Sequence, residues 1–245
     1  MQPCKPDAHQ SGLHLLLFFH QIHPRPNLTS APFSVTVNSC TSALFLALKW
    51  HAINKLGRDE FQDMWDHPVT VTIPKRTYIS VPMQIKHAGF VLRFHDIEWR
   101  GQYALHPFNI YDSARLFTSG MFDNFQRDYD TYGEPSFICC SFHSTKTLGI
   151  KRFWDPPYQD WDIEQGGCIL HNDPAADAWL RKARFDGRTE GVSSKDDTFD
   201  MLGYHCYMNP SSARLGLELL KKLPRHNAPL PNDDYPDLSL APIFR

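Results

Sequence analysis

The sequence predicts a three-layer α/β/α domain around a mainly parallel sheet, on three observations. Short runs of β-branched and apolar residues recur along it: "FSVTVNS", "PVTVTIP", "FVLRFHDI", "FNIYD", "SFICCSF" and "CILHND". Helix-like segments separate several of these runs, and strands alternating with helices imply parallel pairing with both faces covered. The 245 residues, 42% hydrophobic and 21% charged, are enough for one large domain with a substantial core.

Taken in order, residues 1–32 are rich in Pro and His and read as an irregular lead-in around one short apolar helix. "FSVTVNS" is the first strand, and "CTSALFLALKWHAINKLG" then has helical character closing on Gly57. "PVTVTIP" is a second strand, followed by a turn and the helix-like "SVPMQIKHAG". The remaining runs complete the strand set, with helices expected over 174–184 and 210–223. Residues 33–223 therefore form the domain. Beyond it, 224–245 carry five prolines (Pro224, Pro229, Pro231, Pro236 and Pro242) and read as an extended tail.

A net charge of −2 gives no electrostatic case for nucleic acid or an anionic membrane as partner. The six cysteines form no CxxC pair and no zinc-ligand spacing, so reduced thiols and no metal site are expected. Cys139 and Cys140 sit inside an apolar run and read as small buried hydrophobes. "GLHLLLFFH" lacks the basic lead-in and small-residue cleavage site of a signal peptide. No run is long enough to span a bilayer. The expectation is a cytoplasmic protein, in which the sequon Asn27-Leu28-Thr29 has no meaning.

In a parallel sheet, ligands collect at the C-terminal ends of the strands. There "FNIYD" ends on Asp112, and "SFICCSFHSTKTLGI" delivers Ser141, His143 and Lys146. An amine can condense with an aldehyde, while a carboxylate can keep a heteroaromatic nitrogen protonated. Pyridoxal phosphate uses both, and also needs hydroxyls and N–H groups for its phosphate. Ser39, Thr41 and Ser42 stand at the start of a helix, where the dipole favours an anion. Tyr78 follows a strand and suits an aromatic plate. Singly, each feature has a plainer reading: a solvated lysine, an N-cap, a turn aspartate, a core tyrosine, a packed histidine.

The order of these segments resembles the DegT-type aminotransferases of nucleotide-linked sugars, within the fold type I pyridoxal-phosphate enzymes. "NSCTSALFLAL" is similar to that family's phosphate turn, and "IPKRTYISVPMQIKHAGFVLRFHDI" to its P-x-x-T-aromatic segment and following strand. "YDSARLF", "CSFHSTKTL", "EQGGCILHND" and "LGYHCYM" follow in the family's order. The resemblance covers about 35–223. It implies that Lys146 is the Schiff-base lysine, Asp112 the partner of the pyridine nitrogen and Tyr78 the ring-stacking residue. It further implies that Thr41, Ser42 and Ser141 hold the phosphate, with His143 buttressing the site.

Some positions depart from the family pattern. Arg115 replaces Gln or His near the cofactor's ring oxygen, and Gln165 replaces Glu before the Gly pair. His205 and Tyr207 replace Asn and Arg in a segment that, in the family, reaches the neighbouring subunit's phosphate. "KRFWDPPYQDWDIEQ", with Trp154 and Trp161, is longer than the usual bridge to the Gly pair. The family's smaller C-terminal domain has no counterpart in the sequence. The implied protein is a pyridoxal 5'-phosphate-dependent homodimer that moves an amine from an amino acid, glutamate in the family, to a nucleotide-linked keto-sugar. The alternative is a non-catalytic dimer that binds cofactor or sugar nucleotide. The family's dehydratases carry His at the lysine position, so Lys146 argues against that branch.

Overall fold

The structure is a computed structural model and describes residues 28–55, 69–151 and 165–245. The expected lead-in helix, the helix end at Gly57, and Trp154 and Trp161 lie outside the described residues. Strand β1 (Phe33–Val37) passes directly into helix α1 (Cys40–Trp50), because the Ser39 hydroxyl accepts from the Ser42 N–H at 3.2 Å and caps the first turn. Seven of the residues of α1, from Cys40 to Trp50, are buried, so this helix lies inside the fold rather than on it. A π-helical turn, His51–Lys55, continues it.

The next unit is β2 (Thr70–Pro74), α2 (Ser80–His87) and β3 (Val91–His95), with the two strands paired in parallel. Then come β4 (Tyr103–Ala104), β5 (Ile110–Asp112), α3 (Asp123–Tyr132), β6 (Phe137–Ser141) and β7 (Gly167–His171). Helix α4 (Pro174–Ala183) starts where Asp173 accepts from the N–H groups of Ala175 and Ala176, and α5 (Pro210–Lys222) starts at Asn209. Both helices have Pro in the first turn, where its missing N–H costs nothing.

The main sheet has the order β1-β7-β6-β5-β4, and β2-β3 form a second ladder. A bridge between Thr72 and His106, with N–H···O distances of 2.7 and 3.2 Å, links the two. Following the pairings, β1, β2, β3, β5 and β6 all run one way. Strand β7 lies between β1 and β6 and is antiparallel to both, an inversion that an apolar run such as "CILH" does not announce.

Both faces of the sheet are buried, which is why its central strands β6 and β7 are apolar in long runs rather than alternating. Phe137, Cys139 and Ile169 face α1 and α4, whereas Ile138, Cys140, Cys168 and Leu170 face Phe142, Met208 and the α5 residue Ala213. Cys139 and Cys140 are fully buried, one on each face; burial pushes the Cys139 thiol up, and the neighbouring Cys168 and then burial push up that of Cys140, as fits inert core residues.

Residues 224–245 carry two short 3-10 turns, Leu238–Leu240 and Pro242–Phe244, in an otherwise non-repetitive course, and they do not trail away. The Leu230 N–H donates to Arg115 O at 2.9 Å and the Leu238 N–H to Lys75 O at 2.9 Å, while Lys75 pairs with Asp237 at 3.0 Å. Gly101 has φ +77, and a Cβ there would lie 2.8 Å from the Pro229 side chain. The segment is a strap laid along the domain, and only a glycine lets it pass.

Candidate active site at the sheet rim

Strands β1, β2, β5 and β6 end at one rim, and the start of β7 lies among them. Gly167 admits this crowding, since a Cβ there would come within 2.8 Å of Cys40 N and 2.6 Å of Cys140 O. A cavity of about 270 Å³ opens at the rim. Its walls include Ser39, Cys40, Thr41, Tyr78, Asp112, Arg115, Ser141, His143 and Lys146, and also Asp233 and Tyr235 from the strap.

Asp112 terminates β5 and is only 5% exposed. Its carboxylate accepts from the Tyr103 hydroxyl at 2.8 Å and the Ala114 N–H at 3.0 Å, and Cys40 Sγ lies 3.8 Å away. Burial still wins over these donors, and the carboxyl is held above its ordinary range. Such a group favours a cationic partner. Tyr103 is in turn fixed by Thr77, 2.6 Å from its hydroxyl.

Lys146 sits in the turn after β6, where its N–H donates to His143 O at 2.8 Å. Burial, and then the charge of Arg115, loosen the ammonium's hold on its proton, against the pull of Asp233 and Asp112. The amine is thus more readily freed than a surface lysine, as a nucleophile requires. His143 lines the same cavity, with Nδ1 3.0 Å from the Thr145 hydroxyl. Burial and the neighbouring Lys146 lower its affinity for a proton.

On the opposite side, the N-terminus of α1 presents Ser39 and Thr41, the latter 2.8 Å from the Ser80 hydroxyl. Ser141 Oγ accepts from the His143 N–H at 3.3 Å. Hydroxyls and unpaired helix N–H groups together make an anion site. Tyr78 stands at the mouth, 57% exposed.

Two expected residues are placed differently. Ser42 does not line the cavity: its hydroxyl donates to Asn38 Oδ1 at 2.6 Å, and Ser39 occupies the rim instead. His205 is exposed and outside the cavity, with Nδ1 2.9 Å from Asp186 and its ring against Tyr207 at 4.6 Å. The sequence reading also missed Asp233 and Tyr235. Arg115, which is almost fully buried, pairs with Asp233 at 2.6 Å, lies 3.4 Å from the Tyr235 hydroxyl, and donates to the Pro231 carbonyl. No local pattern marks these residues, because their partners lie more than a hundred positions away.

Among the described residues, no group of His, Cys, Asp and Glu is arranged to hold a metal ion, and no helix is long and apolar enough to cross a membrane. No protein-family model matches the sequence, and no curated protein matches it. Solved structures do match. The sugar aminotransferase CalS13 from Micromonospora echinospora aligns with a TM-score of 0.58 at 15% identity, over 90% of this chain and 67% of that one. A DegT DnrJ EryC1 StrS aminotransferase from Brucella abortus aligns at 0.57 and 15%, over 86% and 58%. The dehydratase ColD, which acts on GDP-4-keto-6-deoxymannose and was solved with GDP-perosamine, aligns at 0.57 and 14%, over 86% and 61%. The chain spans only about three fifths of the length of these structures, between 58% and 67%. At such identities the likeness is one of fold. The chain has the fold type I architecture shared by these DegT-type structures.

Proposed function

We propose that the rim cavity binds pyridoxal 5'-phosphate and that the protein is an aminotransferase passing an amine from an amino acid to a nucleotide-linked keto-sugar. One observation carries the reading: a half-buried lysine and a buried carboxylate share a cavity with the hydroxyls of a helix N-terminus. It is supported by a fold held in common with sugar aminotransferases.

The donor set fits the group. Asp112 is a buried acceptor whose charge is costly without a cation, and a protonated ring nitrogen is such a partner. Ser39, Thr41, Ser141 and the first N–H groups of α1 suit a phosphate dianion. Tyr78 suits a ring face. When bound, the cofactor supplies an electron sink for the carbon that gains or loses the amine. Lys146 Nζ would hold the cofactor covalently and would carry the proton at that carbon as general acid and base. Asp112 keeps the ring proton in place. His143 buttresses Lys146, and Arg115 sets a fixed positive charge beside it.

We further propose that the protein is a cytoplasmic homodimer with glutamate as donor, with Ser42 supporting the phosphate turn from behind. His205, outside its own chain's cavity, would contribute to the second copy's site. The test is optical. The purified protein is expected to be yellow with added cofactor, and borohydride should fix the cofactor on the peptide containing Lys146. Lys146→Ala should abolish that attachment. Glutamate should bleach the yellow form, and keto-sugar nucleotides should restore it. A colourless wild-type protein sinks the proposal; colour that glutamate leaves untouched would instead identify a binder without turnover.

A further inference from the structure

The geometry points to residues 231–235 as a built wall of the site, in which Asp233 is a positioning residue that fixes the Arg115 guanidinium beside Lys146. This rests on the reading of the cavity as the cofactor site. The strap is pinned on both sides of the rim, by the Leu230 N–H on Arg115 O and by the Leu238 N–H on Lys75 O. Between those pins it crosses the cavity. There it takes up Arg115 from one side only: Asp233 Oδ2 at 2.6 Å, the Tyr235 hydroxyl at 3.4 Å, and the Pro231 carbonyl. Among the described residues Arg115 Nε has no hydrogen-bond partner, and the strap supplies the acceptors that this side chain has there.

The strap also reaches the other end of the site. Tyr235 stacks on Trp99 with centroids 6.2 Å apart, and Asn232 Nδ2 donates to Trp99 O at 2.6 Å. Trp99 packs edge-on against Tyr103 at 4.7 Å, and Tyr103 donates to Asp112. Asp233 and Tyr235 are tied together, the phenol donating to the carboxylate at 3.1 Å. Burial, and then the charge of Asp233, push that phenol up to about 12, so it remains a donor.

The physical consequence falls on Lys146. The charged and titratable groups acting on it are Arg115, Asp233, Asp112 and Cys40, with His143 beside it. Asp233 opposes Arg115 at Lys146 with a smaller pull of its own, and by holding the guanidinium it also keeps that positive charge from swinging closer to the Lys146 ammonium. Asp233 is 61% exposed, so replacing it leaves the core intact.

The experiment is competitive labelling of the full-length, cofactor-free chain with trace acetic anhydride at neutral pH. Lys146 is read by mass spectrometry against the surface lysines of the same chain. Asp233→Asn is expected to raise the Lys146 rate about threefold or more, Arg115→Gln to lower it, and Asp233→Glu to restore the wild-type rate. In the R115Q background the D233N step should shrink. An unchanged Lys146 rate in folded D233N overturns the inference, as does a D233N step equally large in both backgrounds. Should D233N fail to fold, R115Q alone decides: slower labelling supports the inference and unchanged labelling overturns it. Labelling needs no cofactor, so a wild-type protein that never turns yellow overturns only the function proposed above. A yellow protein with an unshifted D233N overturns only the role of the strap.

Discussion

Asp112 is buried with three neighbours turned toward it, the Tyr103 hydroxyl, the Ala114 N–H and Cys40 Sγ, and still its carboxyl is raised. For an acid raised on folding, stability is fully present below its ordinary value of 3.8 and is lost as pH climbs through the raised one. The cofactor-free protein therefore carries this cost at neutral pH. Asp112→Asn should remove it: calorimetry is expected to give a melting temperature equal to the wild type's or up to about 4 °C higher. Under the proposed function, amination should nonetheless fall at least about 100-fold, because Asp112 would no longer hold the ring proton. A variant that melts well below wild type would mean the carboxylate is a structural keystone instead. Lys146, Asp112 and Ser141 were legible in the sequence because each directly follows or ends an apolar run, and a strand end in a parallel sheet is an address. Which way Ser42 turns was not legible, because a hydroxyl near a helix start can face either a cavity or its own capping loop, and here Asn38 takes it.

Helix α1 has two tasks at its first turn, and Ser39 serves both, as cap and as part of the cavity wall. Ser39→Ala should cost about 1 kcal/mol in urea unfolding. It should also weaken pyridoxal 5'-phosphate while leaving pyridoxal, which lacks the phosphate, almost unaffected; titration of both ligands separates the two roles. The strap gives a second prediction. Gly101→Ala places a Cβ against Pro229 at a φ that L-residues disfavour, so the strap should lift. Limited proteolysis within 224–245 is expected to accelerate several-fold in that variant, with the sheet's own cleavage sites unchanged. Most elements could be read beforehand: the expected helices at 174–184 and 210–223 are found at Pro174–Ala183 and Pro210–Lys222. Helix α3 was not read beforehand: "DNFQRDYDTY" is polar on average, and its aromatic face, with Phe125 and Tyr129 one turn apart, is narrow. Nor was the course of the strap. Proline spacing announces an extended chain, but the site's grip on it comes from Arg115 and Trp99, far away in sequence.

At the scale of the whole molecule, acid sensitivity should centre on His171. Its ring is fully buried between Phe33 and Phe137, with centroids 5.4 and 5.6 Å away, and Asp177 lies 3.5 Å from Nε2. Burial lowers its proton affinity below the ordinary 6.5 more than Asp177 restores it. Stability from this group is therefore present above pH 6.5 and lost as pH falls through the lowered value. Melting temperatures recorded from neutral to mildly acidic pH should decline, and His171→Leu should flatten the decline; an equally steep curve would assign it to other histidines. The class of fold was readable from alternating runs, whereas the inverted β7 was not, because an apolar strand buried on both faces looks the same in either direction. That inversion has a further consequence. Ser141, which ends β6, and Gly167, which opens β7, are paired at the rim, so the chain leaves the sheet and returns to it beside the cavity. Length added between Ile150 and Gly166 would gather at the rim and leave the β6–β7 ladder as it is, so what the cavity admits has an inexpensive place to vary.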